Sequence, residues 1–122
     1  MEFKEENITD LGRWGEAKAA GYLKEHGYLI AETNYRRKTG EIDIIAFDGP
    51  VLCFIEVKTR SRIDFGLPCE AVNSKKRIRL RRTAAYYIME NNMTGRECRI
   101  DIIEIIRNSK GVHCRHLENA LT

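Results

Sequence analysis

The sequence predicts an α/β fold: one mixed sheet of about five strands with helices packed on it, in the order α-β-β-β-α-β-β. Three observations carry this expectation. Two segments repeat their apolar residues at helical spacing; isoleucine-rich and valine-rich runs bounded by turn residues fill the stretches between and after them; and the whole chain is 122 residues long, the length of a single domain. Residues 1–122 are therefore read as one domain. With 43% hydrophobic and 32% charged residues it is globular in composition, and only 2 Pro and 9 Gly exclude collagen-like or linker-like chains.

Residues 11–26 read as the first helix, with Thr9 or Asp10 available to accept bonds from its free N–H groups and Gly27 able to end it in the left-handed conformation. Gly12, Glu16, Ala19, Ala20 and Leu23 share one face, so Glu16 projects along the apolar stripe, a costly place for a carboxylate unless something compensates it. Tyr28 to Tyr35 reads as a strand and Arg36-Arg37-Lys38-Thr39-Gly40 as a basic turn. Glu41 to Phe47, bounded by Gly40 and Asp48-Gly49-Pro50, is the next strand, and Val51 to Lys58 pairs with it as a hairpin. The second helix runs from about Ser74 to Asn92 with Asn73 or Ser74 as its cap. Strands follow at Cys98 to Arg107 and at residues 112–118.

No apolar run exceeds Val51-Leu52-Cys53-Phe54-Ile55, far short of the ~20 residues of a membrane span. The start MEFKEENITDLG has no apolar core, so neither a membrane partner nor a secretory signal is expected. Cys53, Cys69, Cys98 and Cys114 form no Cys-x-x-Cys pair, which excludes zinc ribbons and dithiol redox motifs and suits small buried hydrophobes in the reducing cytoplasm. The net charge of +3 hides an asymmetry. Residues 58–82 hold nine Lys/Arg against Asp64 and Glu70, a local +7, leaving −4 for the remainder. Such a block suits either a solvated helix face or a polyanionic partner.

Alternate side chains of a strand share a face. Glu41, Asp43, Ile45 and Phe47 should line one face of the first hairpin strand, and Leu52, Phe54, Glu56 and Lys58 that of the second. A two-residue loop at Gly49-Pro50 puts Asp43 opposite Glu56; a four-residue loop puts Glu41 there, with Asp43 a diagonal neighbour. Opposed carboxylates cost stability, and a divalent cation removes that cost; Mg²⁺ takes one or two protein carboxylates together with phosphate oxygens. Lys58, two residues from Glu56 on the same face, completes a set suited to phosphodiester hydrolysis, the acids holding the metal and the lysine orienting water or offsetting transition-state charge. A surface ion pair of Glu56 with Lys58 is the alternative, but both acids lie in runs that otherwise look buried. The second helix carries Lys75, Arg79 and Arg82 at i, i+4, i+7 with Lys76 at the margin, and Leu80, Ala84, Tyr87 and Ile88 as its packing stripe. These cations are expected to contact backbone phosphates.

With Gly15-Glu16, Gly40-Glu41-Ile42-Asp43-Ile44-Ile45-Ala46 and Phe54-Ile55-Glu56-Val57-Lys58-Thr59-Arg60 in place, the sequence resembles the YraN family of bacterial proteins, itself similar to Holliday-junction resolvases and other PD-(D/E)XK nucleases. The resemblance extends through Phe65-Gly66-Leu67-Pro68, Glu70-Ala71-Val72 and the Lys76 to Leu80 segment, and so spans nearly the whole chain. It implies a restriction-endonuclease-like core, with Asp43 as the motif's aspartate, Glu56 and Lys58 as its Glu-x-Lys, Glu16 as the acid of the first helix and the Val57 carbonyl completing the metal site. Ile42 stands where the motif has proline. The function this implies is Mg²⁺-dependent or Mn²⁺-dependent cleavage of DNA, branched or structured DNA included. Glu16, Asp43, Glu56 and Lys58 would be the catalytic set, Lys75, Lys76, Arg79, Arg82 and Arg60 would hold phosphates, and a homodimer would cut two strands. The alternative is a non-catalytic nucleic-acid-binding module on the same fold. His113 and His116 face opposite ways on their strand and are read as ordinary surface or core residues. Asp101 lacks an obvious partner and is read as structural; Trp14, Tyr22, Tyr86 and Tyr87 are read as core aromatics rather than base-stacking platforms.

Overall fold

The computed structural model describes residues 8–60 and 73–120. The order is α1 (Ile8–Glu25), β1 (Leu29–Arg37), β2 (Gly40–Asp48), β3 (Val51–Arg60), α2 (Ser74–Glu90), β4 (Cys98–Asn108) and β5 (Gly111–Leu117), which is the predicted α-β-β-β-α-β-β. The strands lie side by side in sequence order. All neighbours are antiparallel except β3 and β4, whose parallel pairing needs a crossover, and α2 lies within that crossover. The mixed sheet is thereby covered on both faces.

Each face has its own core. Against α2 pack Tyr35, Ile42, Ile45, Leu52, Phe54, Ile100 and Ile102, together with Leu80, Ala84 and Tyr87 of the helix itself. Against α1 pack Ile44, Ala46, Cys53, Ile55, Ile103 and Ile105, with Ala19 and Leu23. β3 and β4 are covered on both sides, which is why they read as continuous apolar runs. Where α1 crosses β3 the contact is close: a Cβ on Gly15 would lie 1.9 Å from Thr59 Oγ1 and 3.0 Å from Thr59 Cβ. No helix among the described residues is long and apolar enough to cross a membrane.

Several local expectations are corrected. α1 already runs from Ile8, so Thr9 and Asp10 lie inside its first turn instead of capping it. Gly27, at φ +85, does end that helix as expected, and Asn73 rather than Ser74 caps α2 by accepting the Lys76 N–H at 2.9 Å. β1 continues through Arg36 and Arg37, leaving a shorter turn. Cys53 is buried, but Cys98 and Cys114 are exposed because they stand at the start of β4 and on the outermost strand, β5. Cys69 and the Phe65-to-Val72 motif residues lie outside the described residues.

Candidate active site

The β2–β3 hairpin has the two-residue loop: Asp48 pairs with Val51, and the ladder runs down to Ile44 opposite Ile55. One step further the same register brings Asp43 beside Glu56. Here the backbone ladder gives way to a side chain, and Asp43 Oδ2 accepts the Val57 N–H at 2.8 Å. Burial, and then the charge of Glu56, push the Asp43 carboxyl from 3.8 up to about 7, although the Val57 bond opposes the rise. Glu16 and Glu41 add smaller pushes in the same direction.

Glu56 is only 5% exposed. Its Oε2 lies 3.5 Å from Lys58 Nζ and 2.6 Å from Lys76 Nζ, so one carboxylate oxygen receives an ammonium from its own strand and another from α2. Burial, reinforced by the neighbouring Lys76 charge, lowers the Lys58 pKa despite Glu56. For Lys76 burial is the largest single influence and acts against the charge, but the bond to Glu56, the Glu56 charge, the contact with Lys58 and the Asp43 charge together outweigh it and raise the pKa. The two lysines are thus driven apart: Lys58 is the one that gives up its proton more readily.

Glu16 enters from the other side of the sheet. Asn34, in a left-handed conformation at φ 53, donates through Nδ2 to Glu16 Oε1 at 3.0 Å and to Glu41 Oε2 at 3.1 Å. Asparagine tolerates that backbone state where most residues do not. The irregularity lets Ile42 join the α2-side core while Glu41 shares an amide with a residue of α1. This corrects the expectation that Glu41 lies on one face with Asp43 and Ile45. Gly12, Arg13, Glu16, Asn34, Arg36 and Glu41 line a polar cleft of about 320 Å³ there. Gly15 fixes the approach of this helix, because its missing Cβ lets the residue before Glu16 sit on Thr59.

The other predicted residues fall into two sets. Lys75, Arg79 and Arg82 are exposed along α2. Arg60 instead turns to Glu104, a fully buried acid of β4: Arg60 Nε lies 2.8 Å from one carboxylate oxygen and Arg115 Nη2 3.2 Å from the other, as ion pairs rather than aligned hydrogen bonds. Glu104 pairs with Lys58 across the β3–β4 ladder, so the site's lysine has a second buried carboxylate on the neighbouring strand. The sequence reading missed Glu104 and Asn34, and it placed Glu41 by the hairpin register rather than beside Glu16. The first could have been suspected from its place in the Ile-Ile-Glu-Ile-Ile run, the only acid among four isoleucines.

Asp101 has the partners that the sequence did not reveal. Its carboxylate accepts from Arg99 Nε at 3.1 and 3.2 Å and from the Asn119 N–H at 2.8 Å, and lies 2.8 Å from His116 Nε2. Arg99 continues to Tyr28 Oη at 2.7 Å and to Asp48 at 3.2 Å. This fully satisfied network ties the start of β4 to the β1 end of α1's face and plays a structural part.

The donor set of Asp43, Glu56, Glu16 and the Val57 carbonyl consists of hard oxygens, the kind that Mg²⁺ and Mn²⁺ accept, and the burial and carboxylate repulsion that raise Asp43 are what a cation would offset. The residues therefore fit such an ion in chemistry. Among the described residues no three His, Cys, Asp or Glu side chains stand close enough to form a ready-made cage, and Lys76 already compensates Glu56.

The family profile described as "Uncharacterised protein family UPF0102" matches residues 15–105, which hold Glu16, Asp43, Glu56, Lys58 and all of α2. The chain belongs to the UPF0102 family. It is the YraN family that the motifs resemble. A UPF0102 protein of Alkaliphilus metalliredigens is 46% identical over 111 residues, covering 90% of this chain and 96% of that one. One from Moorella thermoacetica is 51% identical over 94 residues, 77% of this chain and 78% of its own. Another, from Clostridioides difficile, is 45% identical over 114 residues, covering 93% and 98%. The likeness to these UPF0102 proteins thus extends over most of the chain.

Proposed function

We propose that this UPF0102 protein is a metal-dependent endonuclease that hydrolyses phosphodiester bonds in DNA, with branched or structured DNA as its substrate class, acting in the cytoplasm as a homodimer. One observation carries the reading: where the β2–β3 ladder opens, a partly buried Asp43 with its pKa raised to about 7 stands beside a buried Glu56 that faces two lysines. A purely structural hairpin gains nothing from that repulsion.

Asp43, Glu56 and the Val57 carbonyl, with Glu16 from the α1 side, would hold Mg²⁺ or Mn²⁺. The ion supplies positive charge that polarises the scissile phosphate. Lys58, whose proton is loosened by burial, would orient the attacking water and take up its proton at Nζ, or return it to the leaving oxygen. Lys76 would exchange Glu56 for a non-bridging phosphate oxygen, offsetting charge in the transition state. Lys75, Arg79 and Arg82 would hold flanking phosphates, as cations on a helix face can do without reading sequence.

The test is a panel of linear, nicked, flapped and four-way-junction DNA incubated with Mg²⁺ and with Mn²⁺. Cleavage that Asp43→Asn and Glu56→Gln each abolish while leaving binding intact is the expected result; full cleavage by either variant defeats the assignment. The Lys76–Glu56 contact at 2.6 Å favours one second reading, a nucleic-acid-binding module without hydrolysis, in which Lys76 does permanently what a metal would do. Binding that weakens steeply with salt, is indifferent to chelator and yields no product on any substrate would select it.

A further inference from the structure

The outward side of α2 carries a feature that the proposed chemistry does not use. Ile78, Arg82, Tyr86 and Met89 recur at i, i+4, i+8 and i+11, a single stripe opposite the buried Leu80, Ala84 and Tyr87. Tyr86 is 44% and Met89 67% exposed. With Thr39 from the β1–β2 turn, Arg82 and Ala85, they line a cleft of about 490 Å³, within the ~300–1,000 Å³ of small-ligand sites. Tyr87, next in sequence, is core as expected, but Tyr86, which the helical spacing also assigned to the core, faces out.

The charge around the cleft selects its occupant. Among the described residues, Lys75, Arg79 and Arg82 have no carboxylate partner, whereas Arg36 is held by Glu41 and Arg37 by Glu90. Two copies of this chain docked through the stripe would set arginine against arginine. A polyanion would be neutralised there instead. A row of cations that follows a backbone, next to an aromatic on which a base can stack, is how sites for single strands are built. Tyr86 offers the ring, Met89 an apolar lip, and Arg82 at i−4 a guanidinium for the adjoining phosphate.

We propose that the cleft of Thr39, Arg82, Tyr86 and Met89 is a stacking site for one unpaired base of a nucleic-acid strand that reaches it from the Asp43–Glu56 site along Lys75, Arg79 and Arg82. The identity of the polyanion rests on the nuclease reading above; the stacking site adds that the substrate must carry an unpaired nucleotide. Ten residues separate Lys76 from Tyr86, about 15 Å along the helix. That spans about four stacked nucleotides at 3.4 Å each, or fewer if the strand is stretched. The unpaired base therefore lies within about four nucleotides of the phosphate held by Lys76.

The test uses the full chain in EDTA with a fluorescein-labelled single strand of about 20 nucleotides, the same strand fully paired, and the single strand carrying one 2-aminopurine. Wild type should bind the single strand more tightly than the duplex and quench the 2-aminopurine. Tyr86→Ala should weaken single-strand binding about ten-fold, abolish the quench, leave duplex binding and its salt slope unchanged, and be rescued by Tyr86→Phe. Arg79→Ala should weaken both ligands and flatten the salt slope. If Arg79→Ala weakens binding but Tyr86→Ala does not, the stacking site falls and the nucleic-acid reading stands. If wild type binds neither ligand at low salt, the nucleic-acid reading itself falls and takes the stacking site with it. Self-association lost on Tyr86→Ala would give the cleft to a second copy and overturn the proposal.

Discussion

Replacing Asp43 by asparagine isolates the strain at the centre of the site. The carboxyl titrates at about 7 in the fold against 3.8 for an unhindered aspartate, first because it is buried and next because Glu56 is charged. A folded-state value above the unfolded one means that the fold prefers the protonated acid. Between pH ~4 and ~7 the native protein therefore holds a proton that the unfolded chain has released, and it loses stability steadily as pH rises through that window. At 1.36 kcal/mol per pH unit the loss has a ceiling of ~4 kcal/mol; the partial exposure of Asp43 brings the expectation to ~1–3 kcal/mol. Asparagine keeps an oxygen for the Val57 N–H but carries no charge. In EDTA, Asp43→Asn should thus match wild type near pH 4 and exceed it by ~1–3 kcal/mol at pH 8, a rise in Tm of some 4–12 °C. Adding Mg²⁺ should stabilise wild type and leave the variant unmoved. Urea or thermal melts across pH, with and without metal, read this directly. A stability difference that does not change with pH, or a variant less stable than wild type at pH 8, would show that Asp43 serves the hairpin rather than a cation.

Three further perturbations follow from the same geometry. Gly15→Ala should destabilise by ~1–3 kcal/mol by driving a Cβ into Thr59, and Thr59→Ala should recover part of the loss; a chemical-denaturation cycle without coupling would mean that α1 can shift freely. Lys76→Met should raise Mn²⁺ affinity, measured by electron paramagnetic resonance, by about ten-fold because Glu56 loses its competing ammonium; unchanged affinity would mean that Lys76 and the ion do not share a ligand. Asp101→Ala should cost ~2–4 kcal/mol in thermal melts by removing the buried acceptor that Arg99, His116 and the Asn119 N–H share, while leaving nucleic-acid affinity at the wild-type level per folded molecule; a mild loss would show that Asp48 and Glu118 hold Arg99 well enough alone.

Much of this arrangement is readable from residues near one another in the chain. The Asp48-Gly49-Pro50-Val51 turn fixes the hairpin register, and with it the meeting of Asp43 and Glu56, because strand periodicity propagates from the loop. Helical spacing likewise orients Lys75, Arg79 and Arg82 away from Leu80 and Tyr87. What local pattern cannot provide is set by docking between elements. Lys76 stands at the margin of its helix wheel, and only the seating of α2 on the sheet, chiefly over β2, turns it towards Glu56. Asn34 breaks the alternation of β1 through a single left-handed residue, and the partner of Glu41 changes with it. Asp101 finds His116 and Asn119 through the β4–β5 pairing and the turn beyond it, which no spacing within β4 announces. The exposure of Cys114 depends in the same way on which strand ends the sheet, and that of Cys98 on where β4 begins.

The lysine seated on Glu56 bears on how such a chain survives before it meets any ligand. Proteins whose acidic clusters wait for a cation tend to be unfolded, or folded only in its presence, since ion binding then supplies much of their folding free energy. Here the counter-charge is built into the polypeptide and arrives when α2 docks. On that argument the chain should fold without a divalent ion, and chelation should leave its architecture standing.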